Sequence, residues 1–223
     1  MARLGGKELE LATAELATRD AALGRIITAA GPWKRGKPNP DGPFGALVRS
    51  IAFQQLAGAA AATIHGRFRA LVDGPLTPEA VLRLAEEELA GAGLSGSKRA
   101  AIRDLAAKVV DGTVRLDQLG RMSDEVIVEM LCGVRGIGVW TAQMLLLFEL
   151  RRPDVWPTGD LAVRGGYALM HDLSESPTPK ELEALGEQYR PWRSVAAHYC
   201  WEAVHLSRLN PVVPRSAPRS GSR

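Results

Sequence analysis

Three glycines within six residues, Gly133, Gly136 and Gly138, separate two apolar patterns in L-C-G-V-R-G-I-G-V-W-T-A-Q-M-L-L-L-F, Leu131 to Phe148. A chain so interrupted must turn sharply between two helices. Gly133 is placed to end the first helix in a left-handed conformation, Gly136 to make the turn, and Gly138 to let another backbone approach. With side chains absent there, N–H groups at the start of the second helix, aided by its dipole, can hold a phosphate oxygen. Ordinary turn chemistry explains G-x-x-G-x-G equally well, so the motif alone leaves open a plain helical hairpin.

The rest of the chain is also helical in pattern. Leu9, Leu16, Leu23, Ile26 and Ile27 recur at helical spacing from Lys7 to about Ala29, which predicts one helix ended by Gly31-Pro32. Residues 33–43 read as a Pro/Gly/Lys loop. A helix is expected from Phe44 through Leu71, with a break near Gly58. Thr77-Pro78-Glu79 opens the next, closed by Gly91 and Gly93; Ser97 is expected to cap one running to Val110. Ser123 starts a short helix to Cys132, Gly138 to Leu150 forms another, Thr178 begins a capping box, and Trp192 to Arg208 closes the series. No pair of alternating β-branched runs stands at hairpin spacing, so the fold class is all-α.

The 28 Lys+Arg against 25 Asp+Glu give a net charge of +3 and a pI near 9.1, which invites a nucleic-acid reading. The excess resides at the end. Four arginines and no acid lie from Arg208 to Arg223, leaving residues 1–207 with 24 bases against 25 acids. Residues 209–223 read as a disordered basic tail. Cys132 and Cys200 have no partners at metal-ligand spacing, which excludes a disulfide framework, a zinc site or a four-cysteine iron–sulfur cluster. The N-terminus lacks a signal-peptide apolar core, and Met144 to Phe148 is too short to span a bilayer. The expected location is the cytoplasm, beside the nucleoid if the source is bacterial, with no membrane partner.

Asp160 follows R-R-P-D-V-W-P-T-G, a loop bounded by Pro153, Pro157 and Gly159, and stands where the next helix begins. Asp is a preferred N-cap, which suffices to explain it. It also fixes a carboxylate 20 residues after Trp140, near the hairpin, where it could stabilise an oxocarbenium-like sugar during glycosidic cleavage.

Leu131–Thr141 and Pro157–Arg164 together resemble the helix–hairpin–helix and Gly/Pro/Asp signature of the base-excision DNA glycosylases. I-A-F-Q-Q-L-A-G-A-A-A-A-T-I-H-G-R-F, from Ile51, is similar to that family's glutamine-containing helix. G-L-S-G-S-K-R-A-A-I-R-D-L-A at Gly93 and R-P-W-R-S-V-A at Arg190 extend the likeness across Phe44 to Leu206. Within the superfamily the chain most resembles the compact alkylation-repair branch, the DNA-3-methyladenine glycosylase II type.

The resemblance implies two helical subdomains flanking a cleft. An N-terminal helix in residues 1–30 would pack on the C-terminal subdomain; residues 44–150 would end in the hairpin at about 131–150; residues 151–208 would carry the catalytic Asp160. Strand-cutting relatives have a lysine where this chain has Trp140, and an indole cannot form a Schiff base, so a monofunctional N-glycosylase acting on alkylated purines is implied. Trp140 and Trp201 align with aromatic walls of the base pocket; indole faces bind a cationic alkylated base by stacking and cation–π attraction of roughly 0.5–2 kcal/mol. Met144 and Leu161 stand where bacterial relatives carry pocket tyrosines, which implies a less aromatic pocket. Gly133, Val134, Arg135, Gly136, Ile137, Gly138 and Thr141 would contact DNA, and the carbonyls of Val134 and Ile137 would ligate a monovalent cation, Na⁺ or K⁺, with no other cofactor required. Gln55, followed by Leu56, is the side chain that would fill the gap left by the flipped base. The implied partner is double-stranded DNA containing alkylated bases, met as a monomer. A non-catalytic helix–hairpin–helix DNA-binding module, or a glycosylase for uracil, hypoxanthine or oxidised purines, are the alternatives.

Overall fold

A computed structural model describes residues 3–209, so the expected basic tail lies, but for Leu209, outside the described residues. Among them are twelve α-helices and no strand, in accord with the all-α expectation. The N-terminal pattern, expected as one helix, divides into α1 (Gly6–Arg19) and α2 (Ala21–Ala30). Asp20 causes the break: its backbone is extended and its carboxylate accepts the Ala22 and Leu23 N–H groups at 2.8 and 3.2 Å. The apolar spacing continues across Asp20 because both helices bury residues in one core.

The glutamine-containing segment forms α3 (Gly42–Phe53) and α4 (Gly58–Arg69), with the break at Gln54–Ala57. The helix opened by Thr77 is also two, α5 (Pro78–Arg83) and α6 (Glu86–Gly91). The cap of α7 (Gly96–Val110) is Ser95, not the expected Ser97: Ser95 Oγ accepts from the Lys98 N–H at 3.4 Å. Ser123 caps α8 (Asp124–Cys132). α9 (Val139–Met144) runs into a π turn, Leu145–Glu149, in which the Leu150 N–H reaches the Leu145 carbonyl at 3.0 Å. α10 (Leu161–Met170), α11 (Pro179–Gly186) and α12 (Arg193–Leu209) follow.

Two apolar cores result. One gathers Leu47 and Ile51 of α3, Phe68 of α4, Ile102 and Leu105 of α7, and Ile127 and Leu131 of α8 around Leu145–Leu147. The other joins Leu16 and Leu23 to Val163, Tyr167, Tyr189, Val195 and Tyr199, which places α1 and α2 against α10 and α12. Trp33 and Trp201 pack against both cores. Each fully buried Leu, Ile or Phe contributes roughly 1.5–3 kcal/mol, so burial holds the two groups of helices.

A buried polar contact secures the second core. The Tyr189 hydroxyl donates to Asp20 Oδ2 at 2.6 Å, and His171 Nε2 lies 3.3 Å from each. Burial, then the neighbouring Asp20 carboxylate, push the Tyr189 hydroxyl well above the usual phenol range, which keeps it a donor. The loop at residues 33–43 bridges the two cores. Arg35 donates to the Leu4 and Gly5 carbonyls, and the Asn39 N–H to both carboxylate oxygens of Glu149 at 3.0 Å. No helix among the described residues is long and apolar enough to cross a membrane.

Candidate active site

The loop carrying Asp160 is fixed before it reaches the carboxylate. Arg193, at the start of α12, donates to Asp154 at 2.8 and 3.1 Å. Ser194 Oγ donates to the Arg152 carbonyl at 2.7 Å and accepts the Val155 N–H at 2.9 Å. Trp156 Nε1 reaches the Leu182 carbonyl at 2.8 Å, and the Asp160 N–H closes a turn onto the Pro157 carbonyl at 2.9 Å. The R-P-W-R-S segment thus holds the loop from a helix distant in sequence.

Asp160 is the N-cap of α10. Its Oδ1 accepts the Ala162 and Val163 N–H groups at 2.8 and 2.9 Å. The two aromatic residues singled out in the sequence meet at the same carboxylate. Trp140 Nε1 donates to Oδ2 at 2.6 Å and Trp201 Nε1 to Oδ1 at 3.3 Å. Four N–H donors from α9, α10 and α12 therefore fix the position of one negative charge. The cap that the sequence predicts is therefore present; it uses Oδ1, and Oδ2 receives Trp140.

Trp140 is 46% exposed, and Trp201 stacks on Phe148 with ring centroids 5.8 Å apart and planes 24° from parallel. The sequence reading missed Phe148, itself 46% exposed. Its spacing was a signal: Trp140, Met144 and Phe148 stand four residues apart, on one side of a helix. Met144, Phe148 and Thr141 line a cavity of about 510 Å³ with Ser50 and Arg49 of α3 and Lys37 of the bridging loop. Thr141, expected among the DNA contacts, is buried and lines this cavity. Leu161, expected in the base pocket, is 75% exposed and borders a separate groove with Leu169 and Leu173.

In the hairpin, Gly133 is right-handed (φ −68°), against expectation, while Gly136 takes the left-handed turn (φ +75°). The Ile137 N–H closes that turn on the Val134 carbonyl at 3.1 Å. The first intrahelical bond beyond it is from Ala142 N–H to the Gly138 carbonyl at 3.1 Å, so the amides of Val139 and Trp140 precede the ladder. Space at Gly138 is open: a Cβ there would meet nothing within 4 Å. The Arg135 N–H, in contrast, is taken by Asp104 Oδ2 at 2.7 Å.

Gln54 donates from Nε2 to the Gly136 carbonyl at 2.9 Å and ties the α3–α4 turn to the hairpin. Gln55 is exposed with φ +57°, a left-handed conformation uncommon for residues with a Cβ, and Leu56 is 40% exposed. Both border a second cavity, of about 480 Å³, with Lys98, Arg135 and Gly136. Lys98 Nζ donates to the Ala52 carbonyl at 2.8 Å, and burial lowers its pKa. The Arg164 guanidinium points to the Pro177 carbonyl at 3.4 Å rather than to Asp160. Among the described residues no group of His, Cys, Asp and Glu could hold a metal ion.

The profile of the HhH-GPD superfamily of base excision DNA repair proteins matches residues 48–191, which span the α3–α4 turn, the hairpin and Asp160. The chain belongs to the HhH-GPD superfamily. Its HhH-GPD fold is similar to that of the Schizosaccharomyces pombe 3-methyladenine DNA glycosylase solved with abasic DNA, with a TM-score of 0.80, 30% identity and coverage of 91% of this chain and 98% of that one. A DNA-3-methyladenine glycosidase from Bacillus halodurans superposes equally well, with a TM-score of 0.80 at 32% identity over 94% and 95% of the two chains. In sequence, DNA-3-methyladenine glycosylase 1 of Schizosaccharomyces pombe is 34% identical over 177 residues, 78% of each chain. This HhH-GPD protein is thus of the 3-methyladenine glycosylase type.

Proposed function

We propose that the protein is a monofunctional DNA glycosylase that flips alkylated purines, of the 3-methyladenine and 7-methylguanine kind, out of duplex DNA and hydrolyses their N-glycosidic bonds. The observation that carries this reading is the Asp160 carboxylate, set by four N–H donors between two indoles. As the bond to the base lengthens, positive charge develops on the sugar. A fixed carboxylate stabilises that charge more than it stabilises the substrate, and the preorganised donors spare the reorganisation that water would require. Asp160 also aligns the attacking water on the sugar. Trp140, half-exposed, would stack on the base, and the stacked Trp201 and Phe148 would supply a second aromatic wall. An alkylated purine is a good leaving group and pairs weakly, so selection needs little edge recognition.

Trp140 stands where strand-cutting relatives place lysine and supplies no amine, which supports the absence of lyase chemistry. The Val139 and Trp140 amides, with Gly138 open beside them, hold strand phosphate; Gln55 and Leu56 fill the vacated stack. The neutral carbonyls of Val134 and Ile137 suit Na⁺ or K⁺: Val134 spends one lone pair on the turn and keeps another, and such an ion would supply positive charge toward a phosphate. The protein acts as a monomer on duplex DNA. At the cavity that Met144 and Phe148 line, Lys37 and Arg49 outnumber the one acid, Glu149, and favour a second reading, a neutral purine such as hypoxanthine, since a net positive lining repels a cationic base.

Duplexes carrying N-methylated purines test the proposal. Wild type releases the methylated base, and Asp160→Asn binds the same duplex but loses release by orders of magnitude. Absence of release by wild type leaves a binding module; preference for hypoxanthine selects the second reading.

A further inference from the structure

The hairpin is held from behind by α7. Asp104 Oδ2 accepts the Arg135 N–H at 2.7 Å and Lys108 Nζ at 2.8 Å, and Lys108 Nζ donates onward to the Gly133 carbonyl at 2.6 Å. One carboxylate and one ammonium, a helical turn apart, thereby clasp the peptide groups on either side of Val134. The Arg135 amide lies just before the Val139 and Trp140 amides that the proposed function gives to phosphate, and an acid close by would ordinarily repel that phosphate.

We propose that Asp104 and Lys108 are positioning residues for DNA binding: they set the hairpin so that its amides beyond Gly136 converge on the strand. The inference rests on the hairpin's being the phosphate anchor. Asp104 takes the Arg135 N–H and fixes the plane of the Val134–Arg135 peptide, one residue before the left-handed Gly136. Lys108 neutralises the carboxylate and satisfies the carbonyl at the end of α8, where the helix dipole favours a cation. The hydrogen bond from the Arg135 amide, followed by that from Lys108, holds the Asp104 carboxyl below its usual pKa. The clasp therefore keeps its charge at neutral pH. Charge alone and positioning predict opposite signs for one substitution. Removing an acid from a DNA-binding face strengthens binding by simple electrostatics; removing the clasp weakens it.

The test compares Asp104→Ala, Asp104→Asn and Lys108→Met with wild type by fluorescence anisotropy on an undamaged duplex at several salt concentrations. Single-turnover base release at saturating methylated duplex and thermal melting accompany it. Asp104→Ala is expected to bind about tenfold more weakly, the factor one hydrogen bond sets, while its rate at saturation stays within about twofold. Asn presents an oxygen to the same amide, so Asp104→Asn is expected to recover most of the affinity, and Lys108→Met to fall between. Unchanged or tighter binding by Asp104→Ala overturns the inference, as does an Asp104→Asn variant that folds, melts like wild type and binds no better than Asp104→Ala. Failure of wild type to bind duplex at all refutes instead the functional reading on which this rests.

Discussion

Gly166, in the middle of α10, should tolerate no side chain. A Cβ placed there would lie 1.9 Å from the Cys200 carbonyl oxygen, 2.5 Å from its carbon and 2.8 Å from its Cα, all backbone atoms of α12. Nothing flexible can yield, so α10 and α12 must part by about 1 Å before the contact is tolerable. Overpacking of this kind costs about 3 kcal/mol, at the upper end of the usual range. Replacing glycine by alanine in a helix interior returns about 1 kcal/mol. The net loss of about 2 kcal/mol lowers the melting temperature by about 4–8 °C for a chain of this size.

The catalytic effect should be larger. Asp160 caps α10 and Trp201 sits on α12, with 3.3 Å between the indole nitrogen and the carboxylate. Parting the helices by about 1 Å breaks that bond and tilts the carboxylate, a displacement able to reduce the rate about a hundredfold. Gly165→Ala is the control: its Cβ would meet only Ser176 Oγ, at 4.0 Å, so it should raise the melting temperature by a few degrees and preserve activity. Melting curves and single-turnover excision on all three proteins decide the matter. A Gly166→Ala protein as stable and active as wild type would refute the close approach of these helices as the device that sets Asp160 against Trp201.

Trp140→Phe keeps an aromatic face but removes the 2.6 Å donor to Asp160. A hydrogen bond to a charged group contributes about 1.5–3 kcal/mol, so the single-turnover rate should fall at least tenfold while affinity for lesion duplex changes little; a loss of affinity with an unchanged rate would assign Trp140 to binding alone. His198 stacks on Trp33 at 4.3 Å, and burial lowers its pKa from 6.5 to about 4. The unfolded chain therefore binds the extra proton first: stability from neutral His198 is fully present above pH 6.5, declines as the pH falls toward 4, and is lost below it, a change of about 3 kcal/mol. His198→Phe preserves the stack and should flatten urea-unfolding stability across that window, and an unaltered slope would refute the assignment.

What could be read from the sequence was local. Thr77, Ser123 and Thr178 cap helices where expected, because a cap is decided within four residues. Where two caps compete, local chemistry does not choose. Ser95 prevails over Ser97 beside Leu94, which is buried, so tertiary burial sets where the chain enters α7. The hairpin was legible in outline, yet the left-handed residue is Gly136 alone; Gly133 continues right-handed and its carbonyl is taken by Lys108. Phe148 escaped notice since M-L-L-L-F counts as apolar core in any linear reading. The π turn at Leu145–Glu149 contains it, and a π turn has no sequence signature as plain as a cap.

Asp160 shows why cap and catalyst need not compete. A helix N-terminus offers two amides that hold a carboxylate by one oxygen and leave the other pointing away from the helix. That second oxygen is where Trp140 donates, from the first turn of α9 directly after the hairpin. The spacing between the hairpin and the carboxylate is then set by the short segment from Gly138 to Trp140 and one hydrogen bond. On the proposed function, the backbone that grips the strand would also bring the lesion's sugar to Asp160. On that reading, a lysine at position 140 would exchange that donor for a nucleophile, so this one position would both orient the acid and decide whether the strand is cut.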